Sequence, residues 1–242
     1  MKYHCRHPPL QRSFSIHKSK HPFKYRPLDD DRNEIRIIHL NHPSRRESHE
    51  ALLNCTIAHV SLADQPKYKA LSYVWGDPTP SYIIRLDNHD FFINESLHLA
   101  LCRIQNDQSA VTLWVDSICI NQDDDVEKSK QVQSMGRIFQ EAESAIAWLG
   151  PEKDGSDGAL AMLADLGEMV LDLTSAIPDA SSDMELVNRV WSQSFALLPI
   201  LAEYALDDIS IRPNPLSRLF QRPFWERVWI VQEIAAAKSV VL

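Results

Sequence analysis

The chain has 242 residues, enough to bury a substantial core, and its 44% apolar and 24% charged residues are typical of soluble globular proteins rather than of disordered or fibrous ones. The net charge of −8 is unevenly distributed, because residues 1–28 carry seven basic side chains and all 33 acidic residues lie beyond them. An acidic body disfavours a nucleic-acid-binding surface, which requires clustered Lys and Arg.

The basic start of the chain is expected to be a disordered tail over residues 1–29, since it is rich in His and Pro. Pro8, Pro9 and Pro22 interrupt any amphipathic transit helix, and no apolar run typical of a secretory signal follows the first charges. The most apolar stretch, residues 195–206, is shorter than the ~20 residues that a membrane span needs. We therefore expect a cytoplasmic protein without a membrane span.

The body, residues 30–242, is expected to begin with a β-rich part. Apolar residues alternate in its first two segments, and Gly76 with Pro78 ends the third. A hairpin is predicted to turn at residues 87–89, and Asn94 is placed to cap the helix that follows. The predicted elements are strands at 34–40, 53–62 and 68–78, a hairpin over 82–94 and a helix over 95–105.

Strands and helices alternate in the rest of the body. Asp124 and Glu127 have capping-box spacing at the start of a helix with one apolar stripe, and Pro223 is placed to open the last helix. The pattern predicts an α/β fold, a three-layer sandwich around a mixed sheet, with an antiparallel, β-rich N-terminal part. The predicted elements are strands at 111–120, 145–150 and 239–242 and helices at 124–142, 158–173, 184–206 and 222–234.

The sequence lacks the motifs of several common enzyme classes. All ten His residues lie at or before His98, and there is no GxSxG segment, which disfavours a hydrolase of the Ser-His-Asp type. Neither a P-loop nor a GxGxxG motif is present to hold phosphate groups. The four cysteines form no CxxC pair, so neither a metal site nor a disulfide framework is predicted.

Three blocks of the sequence together resemble one known family. They are YKALSYVWGDP at 68–78, LWVDSICINQDDDVEKSKQVQSMGRIFQEAESAIAWLG at 113–150 and RPFWERVWIVQE at 222–233. In order and spacing they are similar to the opening, central and closing motifs of the heterokaryon-incompatibility (HET) domain family of filamentous fungi. The resemblance covers roughly residues 30–242, so the chain is identified as a basic tail followed by a HET domain.

The resemblance implies a role in nonself recognition, a form of fungal innate immunity in which fusion of incompatible cells triggers regulated cell death. Members of the family are regarded as death effectors whose signal comes from protein partners of the incompatibility system or from other domains, and a homo-oligomer is compatible with that role. Family members usually continue beyond the closing motif, so the domain is expected to be truncated at its C-terminal end. An inert truncated paralogue stays open as an alternative.

Candidate site residues come first from the opening and central blocks. Asp116 is expected at the carboxyl end of a strand, where α/β proteins bind ligands, although an Asp there can also brace the following turn. Asn121 is open to the same two interpretations. Trp75 could stack on a planar ligand such as a nucleotide base, or it could plug the core. Glu127 is explained by the capping box.

The closing block contributes Trp229 and Glu233, four residues apart on a predicted helix. The pair resembles the Trp and catalytic Glu of plant-type TIR domains, which cleave NAD, and HET domains have been regarded as distant TIR relatives. This implies an NAD glycohydrolase with Glu233 as a catalytic residue, NAD as the substrate and no cofactor. Asp116 would be the second catalytic residue, and Trp75, Asn121 and Trp229 would bind the nucleotide. The alternative for this helix is a purely structural role, in which Glu233 is solvated and the Trp side chains pack inward. The alternative to an enzyme is an interaction module whose clustering, driven by a partner, passes on a death signal.

Overall fold

The computed structural model describes residues 23–41, 52–107, 110–175 and 215–242. The chain divides into two compact units, one made of Met1–Pro151 with Glu226–Leu242 and the other of Glu152–Trp225. Most of the predicted tail and the helix predicted at 184–206 lie outside the described residues.

In the described part of the first unit, eight strands form one mixed sheet. They are Glu34–Asn41 (β1), Asn54–Ser61 (β2), Lys69–Tyr73 (β3), Tyr82–Leu86 (β4), His89–Ile93 (β5), Ala110–Trp114 (β6), Ser144–Trp148 (β7) and Val240–Val241 (β8). Their order in the sheet is β5-β4-β2-β1-β6-β3-β7-β8. β1 pairs antiparallel with β2 and β6, and β4 pairs antiparallel with β5. The pairs β2 with β4, β3 with β6, β3 with β7, and β7 with β8 are parallel.

The helices begin where the sequence places capping residues. The Asn94 side chain accepts a hydrogen bond from the Leu97 N–H at 2.9 Å, and the Asp124 carboxylate accepts the N–H groups of Val126 and Glu127. The α-helices are Glu95–Asp107 (α1), Asp116–Cys119 (α2), Asp125–Glu141 (α3), Ser156–Ser175 (α4), Pro215–Phe220 (α5) and Ile230–Ala236 (α6); Leu62–Asp64 and Pro223–Glu226 are 3-10 helices.

The second unit contains α4 and α5, which pack against each other. Arg218 in α5 donates to the Asp154 carboxylate at 2.7 Å, just before α4 begins. None of the helices in the described ranges combines the length and the apolar character that crossing a bilayer requires.

The α/β class and the mixed sheet are confirmed. Four consecutive residues of β3, from Ala70 to Tyr73, are all buried. Because successive side chains point to opposite faces, both faces of this strand are covered, as is expected for a strand with parallel neighbours on both sides. The antiparallel pairing is concentrated in the N-terminal strands, as predicted.

Two predicted elements were wrong. The strand predicted at 111–120 ends at Trp114, and Asp116–Cys119 forms a single helical turn instead, because a short apolar run has no period that separates a strand from a buried helix. Residues 222–234 form a 3-10 helix, a turn and α6 rather than one helix. The break lets Arg227 reach Glu233, since residues six apart lie on different faces of a continuous helix.

Two of the cysteines, Cys55 and Cys119, are free and buried, and burial raises the pKa of each thiol to about 12. They therefore serve as small core residues rather than as reactive thiols. Cys102, in contrast, is disulfide-bonded, which the sequence analysis did not predict.

A buried ion pair ties the first strand to the first turn of α3. Arg36 in β1 is fully buried, and its two terminal nitrogens donate to the two oxygens of Glu127 at 2.6 and 2.9 Å. Arg36 also donates to the carbonyl groups of Arg26 and Cys119, and Glu127 accepts the Asn121 N–H at 2.7 Å. Glu127 therefore does not close a capping box, as its spacing predicted, but fixes the loop between α2 and α3.

We expect Glu127→Gln to lower the free energy of unfolding by about 3 kcal/mol or more, because Arg36 would keep its buried charge without a countercharge. Urea denaturation followed by circular dichroism measures this change. Asp64→Asn is the matched control, since it removes a carboxylate from an exposed pair with Arg32 at 3.9 Å and should change stability much less. Equal losses in the two variants would contradict the assignment.

Candidate functional site

The carboxyl end of β3 is the part of the molecule on which the candidate site is built. Ser72 and Tyr73 are consecutive, so their side chains point to opposite faces of the sheet. The Ser72 hydroxyl donates to Glu233 of α6, whereas the Tyr73 hydroxyl donates to the second residue of α2 at 2.7 Å. Just beyond the strand, Trp75 Nε1 donates to Asp116 Oδ2 at 2.9 Å. One short segment therefore contacts both α2 and α6.

Trp75 lies on the surface instead of plugging the core, because 38% of it is exposed. Its backbone is held by the start of α1: Asn94 Nδ2 donates to the Trp75 carbonyl at 2.7 Å, and the Ser96 hydroxyl donates to the Val74 carbonyl. Gly76 follows with φ of 65°, a conformation that favours glycine and turns the chain away from the strand. The indole is thus fixed in position with part of its ring open to solvent.

Asp116 begins α2 and is partly buried. Its Oδ1 accepts the Ser117 N–H at 2.7 Å, and its Oδ2 accepts the Trp75 indole N–H. Gln122 Nε2 donates to the Asp116 carbonyl at 3.0 Å, so the loop after α2 is tied to the same residue. The carboxylate is therefore fixed in orientation by one side chain and one backbone group.

The pKa of Asp116 is raised from the usual 3.8 to about 6. Burial is the largest cause, and the negative charge of Glu233 raises the pKa further. The hydrogen bonds from Trp75 and Ser117 and the positive charge of Arg227 oppose this rise. Asp116 therefore changes its protonation state close to neutral pH, and its ionisation responds to both Glu233 and Arg227.

Glu233 is the most deeply buried acid of this cluster, with only 2% of it exposed. Arg227 Nη2 donates to its Oε1 at 2.9 Å, and Arg227 Nη1 donates to its Oε2 at 3.0 Å. The Ser72 hydroxyl also donates to Oε2, and Arg227 Nη1 lies 3.0 Å from that hydroxyl oxygen. The purely structural alternative for this helix expected a solvated Glu233, and this expectation is wrong.

Trp229 does not share the environment of Glu233. It precedes the first turn of α6 and is 46% exposed, and its neighbours Val228 and Val231 are exposed as well. The inward packing of Trp229 that the purely structural alternative expected is therefore also wrong. The helix directs Ile230 and Glu233 inward, since both are buried.

Asn121 lies in the loop between α2 and α3, where it braces the backbone. Its Oδ1 accepts the Asp123 N–H at 3.3 Å, and its own N–H donates to Glu127 at 2.7 Å. These contacts match the loop-bracing interpretation. The proposed ligand-binding role of Asn121 stays a prediction.

Sequence reasoning missed Ser72, Tyr73 and Arg227 as parts of this site. Ser72 and Tyr73 lie in the opening block, and Arg227 lies in the closing block. Their position in these family motifs was one signal in the sequence that could have identified them as site residues. A polar Ser inside the apolar segment KALSY was a second signal, because a buried hydroxyl needs a partner. Nothing in the sequence identified that partner as a residue 161 positions away.

The cluster can supply a proton-exchanging carboxyl group beside an exposed aromatic ring. Two carboxylates in different environments are a common arrangement in acid-base chemistry. Ser72 is nearly fully buried, so it cannot reach a substrate as a nucleophile. Among the described residues, no three His, Cys, Asp or Glu side chains are grouped so that they could hold a metal ion.

Comparisons with known proteins agree with the resemblance of the motifs. The family model described as heterokaryon incompatibility protein (HET) matches residues 68–233. Heterokaryon incompatibility protein 6, OR allele, of Neurospora crassa is 30% identical over 230 residues, which is 88% of this chain and 33% of that protein. The chain thus spans about a third of the length of this relative. No solved structure matches.

We expect the Trp75 indole N–H resonance to titrate with a midpoint at about pH 6, because its acceptor Asp116 loses its proton there. The folded-state pKa lies above the usual 3.8, so ionisation of Asp116 should lower stability as pH rises from about 4 to about 6. Two-dimensional NMR of the indole groups, assigned with Trp75→Phe, measures the midpoint. The transition should vanish in Asp116→Asn, and a wild-type midpoint near 4 would disprove the raised pKa.

Proposed function

The chain belongs to the heterokaryon incompatibility (HET) protein family, and from this premise we propose that it triggers regulated cell death in fungal nonself recognition. The observation that supports a shared functional site is the convergence of the three motif blocks. Trp75 comes from the opening block, Asp116 from the central block and Glu233 from the closing block. Trp75 is hydrogen-bonded to Asp116, Glu233 is hydrogen-bonded to Ser72 of the opening block, and the charge of Glu233 acts on Asp116.

In this proposal the domain acts in the cytoplasm as the effector part of a larger system. The chain spans about a third of the length of its Neurospora relative, so recognition of the nonself signal is assigned to protein partners or to other parts of such proteins. Binding of partners would bring copies of the domain together, and a homo-oligomer would be the signalling form.

Inducible expression of the chain in a filamentous fungus should stop growth and kill the cells. Asp116→Asn should reduce killing strongly, because it removes the carboxylate that can change its charge near neutral pH. Vital-dye staining and colony counts measure death, and immunoblots confirm equal amounts of protein. Asp64→Asn, an exposed substitution outside the three motif blocks, is the control and should kill like the wild type. Full viability of cells that express the wild-type chain would refute death-triggering activity of this chain.

A second candidate function is an NAD glycohydrolase with distant similarity to TIR domains, acting as the death effector. Asp116 favours this candidate, because it combines a pKa of about 6 with a hydrogen bond to the exposed Trp75 ring. Above pH 6 its carboxylate would stabilise the positive charge that develops on the ribose as the glycosidic bond breaks. Nicotinamide would leave with the bonding electron pair, water would add to the ribose carbon, and the carboxylate would accept the proton of that water.

Purified protein incubated with NAD should then release nicotinamide, with a rate that rises as pH increases through about 6 and Asp116 ionises. Liquid chromatography of the products measures the release. Asp116→Asn should abolish it, Glu233→Gln should reduce it, and Asp64→Asn should leave it unchanged. Release that persists in Asp116→Asn would remove the enzyme candidate, whereas killing without any release would favour an interaction module.

A further inference from the structure

Two carboxylates of the candidate site differ in what their oxygen atoms can still bind. We propose that Asp116 is the carboxylate that contacts a ligand, together with the Trp75 ring, and that Glu233 is a positioning residue that acts through Arg227. This division of roles rests on the second candidate function and specifies which part of a nucleotide the site takes. It also changes the expected role of Glu233, which the resemblance to TIR domains places at the reacting bond.

Glu233 has little capacity left for a ligand. Both of its oxygens accept from the Arg227 guanidinium, and one of them also accepts from Ser72. A carboxylate offers about four acceptor sites, so three are occupied by the protein. Only 2% of the residue is exposed. A substrate would have to displace a bidentate ion pair to reach it, which is costly for a buried charge.

Asp116 has acceptor capacity to spare. Its carboxylate accepts one hydrogen bond at each oxygen, from Ser117 and from Trp75, which leaves about two acceptor sites for donors of a ligand. The residue is partly exposed, and the Trp75 ring beside it is 38% exposed. A flat ring that stacks on the indole could therefore donate an amide or hydroxyl hydrogen to Asp116.

The charges of the cluster indicate which end of a nucleotide fits. The positive charge of Arg227 acts electrostatically on Asp116, but Glu233 neutralises that charge in a bidentate ion pair. A phosphate group would therefore meet no net positive charge here, and Asp116 would repel it. The site fits a neutral or cationic planar group with hydrogen-bond donors, such as the nicotinamide ring with its adjoining ribose, rather than the pyrophosphate.

Glu233 affects Asp116 through Arg227. The Arg227 guanidinium donates two hydrogen bonds to the Glu233 carboxylate. The negative charge of Glu233 therefore opposes the attraction between Arg227 and Asp116. Removal of the Glu233 charge would take away a negative charge next to Arg227 and make the potential at Asp116 more positive. Two further titratable groups interact electrostatically with Asp116. They are Tyr73, whose pKa is raised well above its usual value by burial, and the buried Cys119 thiol.

Labelling of carboxyl groups with a water-soluble carbodiimide and an amine, followed by peptide mass spectrometry, tests the assignment. In folded wild-type protein at pH 6, Asp116 should be labelled several-fold faster than Glu233, and in urea the two rates should become similar. Millimolar NAD should slow the labelling of Asp116, whereas inorganic pyrophosphate should not. Equal labelling of the two residues in the folded protein, or a lack of protection by NAD, would overturn the proposed ligand contact.

The positioning role is tested by the titration of the Trp75 indole N–H resonance. Glu233→Gln should lower the midpoint by roughly half a pH unit or more, because the nearby cation is no longer neutralised. Ser72→Ala is the matched control, since it removes a hydrogen bond to Glu233 but no charge, and its midpoint should stay close to that of the wild type. An unchanged midpoint in Glu233→Gln would overturn this role.

The outcomes separate this inference from the functions proposed above. The rate difference in labelling and the shift in midpoint are both measured without turnover of NAD. If NAD protects Asp116 but is not cleaved, the enzyme candidate fails while the ligand contact stands. If NAD is cleaved and Glu233 is labelled as fast as Asp116, the enzyme candidate stands and the division of roles fails.

Discussion

The pairing of Glu233 with Arg227 and Ser72 is the interaction on which the candidate site depends most. A buried carboxylate without partners is too costly for a folded domain to retain, and here three donors from two segments meet it. Ser72 belongs to β3, whereas Arg227 and Glu233 lie around the start of α6. The ion pair therefore satisfies its own charges and, through Ser72, holds the last segment of the unit against the middle of the sheet.

A second buried ion pair fixes the loop that follows α2. Arg36 and Glu127 hold the loop between α2 and α3 against β1. Both pairs use the planar fork of an Arg to meet both oxygens of a carboxylate, a geometry that a Lys could not reproduce. α2 is only four residues long, so its position depends on these attachments more than on its own backbone hydrogen bonds.

The two candidate functions make different demands on this arrangement. An interaction module needs a stable surface, which a network of buried ion pairs and capped helices can supply. An enzyme needs a group that changes protonation near neutral pH and remains in contact with solvent, and Asp116 meets both conditions.

The sequence by itself determined the family, the α/β class and most of the elements, because motifs, hydrophobic periods and capping residues are local signals. The hairpin predicted to turn at residues 87–89, for example, does turn there, and Asp87 and Asn88 both adopt positive φ. Local signals also explain the failures: the apolar run around Asp116 predicts a strand, and the three-residue spacing of Asp124 and Glu127 predicts a capping box.

Only the tertiary structure decided which charged residues are buried and with which partner. Arg36 and Glu127 are 91 positions apart, and Ser72 and Glu233 are 161 apart, so no spacing rule could pair them. The exposure of Trp75 and Trp229 and the burial of Glu233 were likewise beyond the sequence, because helical spacing relates residues to one another but does not say which face meets the sheet. Burial and charge pairing are set by long-range packing, and they make Asp116, rather than Glu233, the carboxylate with free acceptor sites.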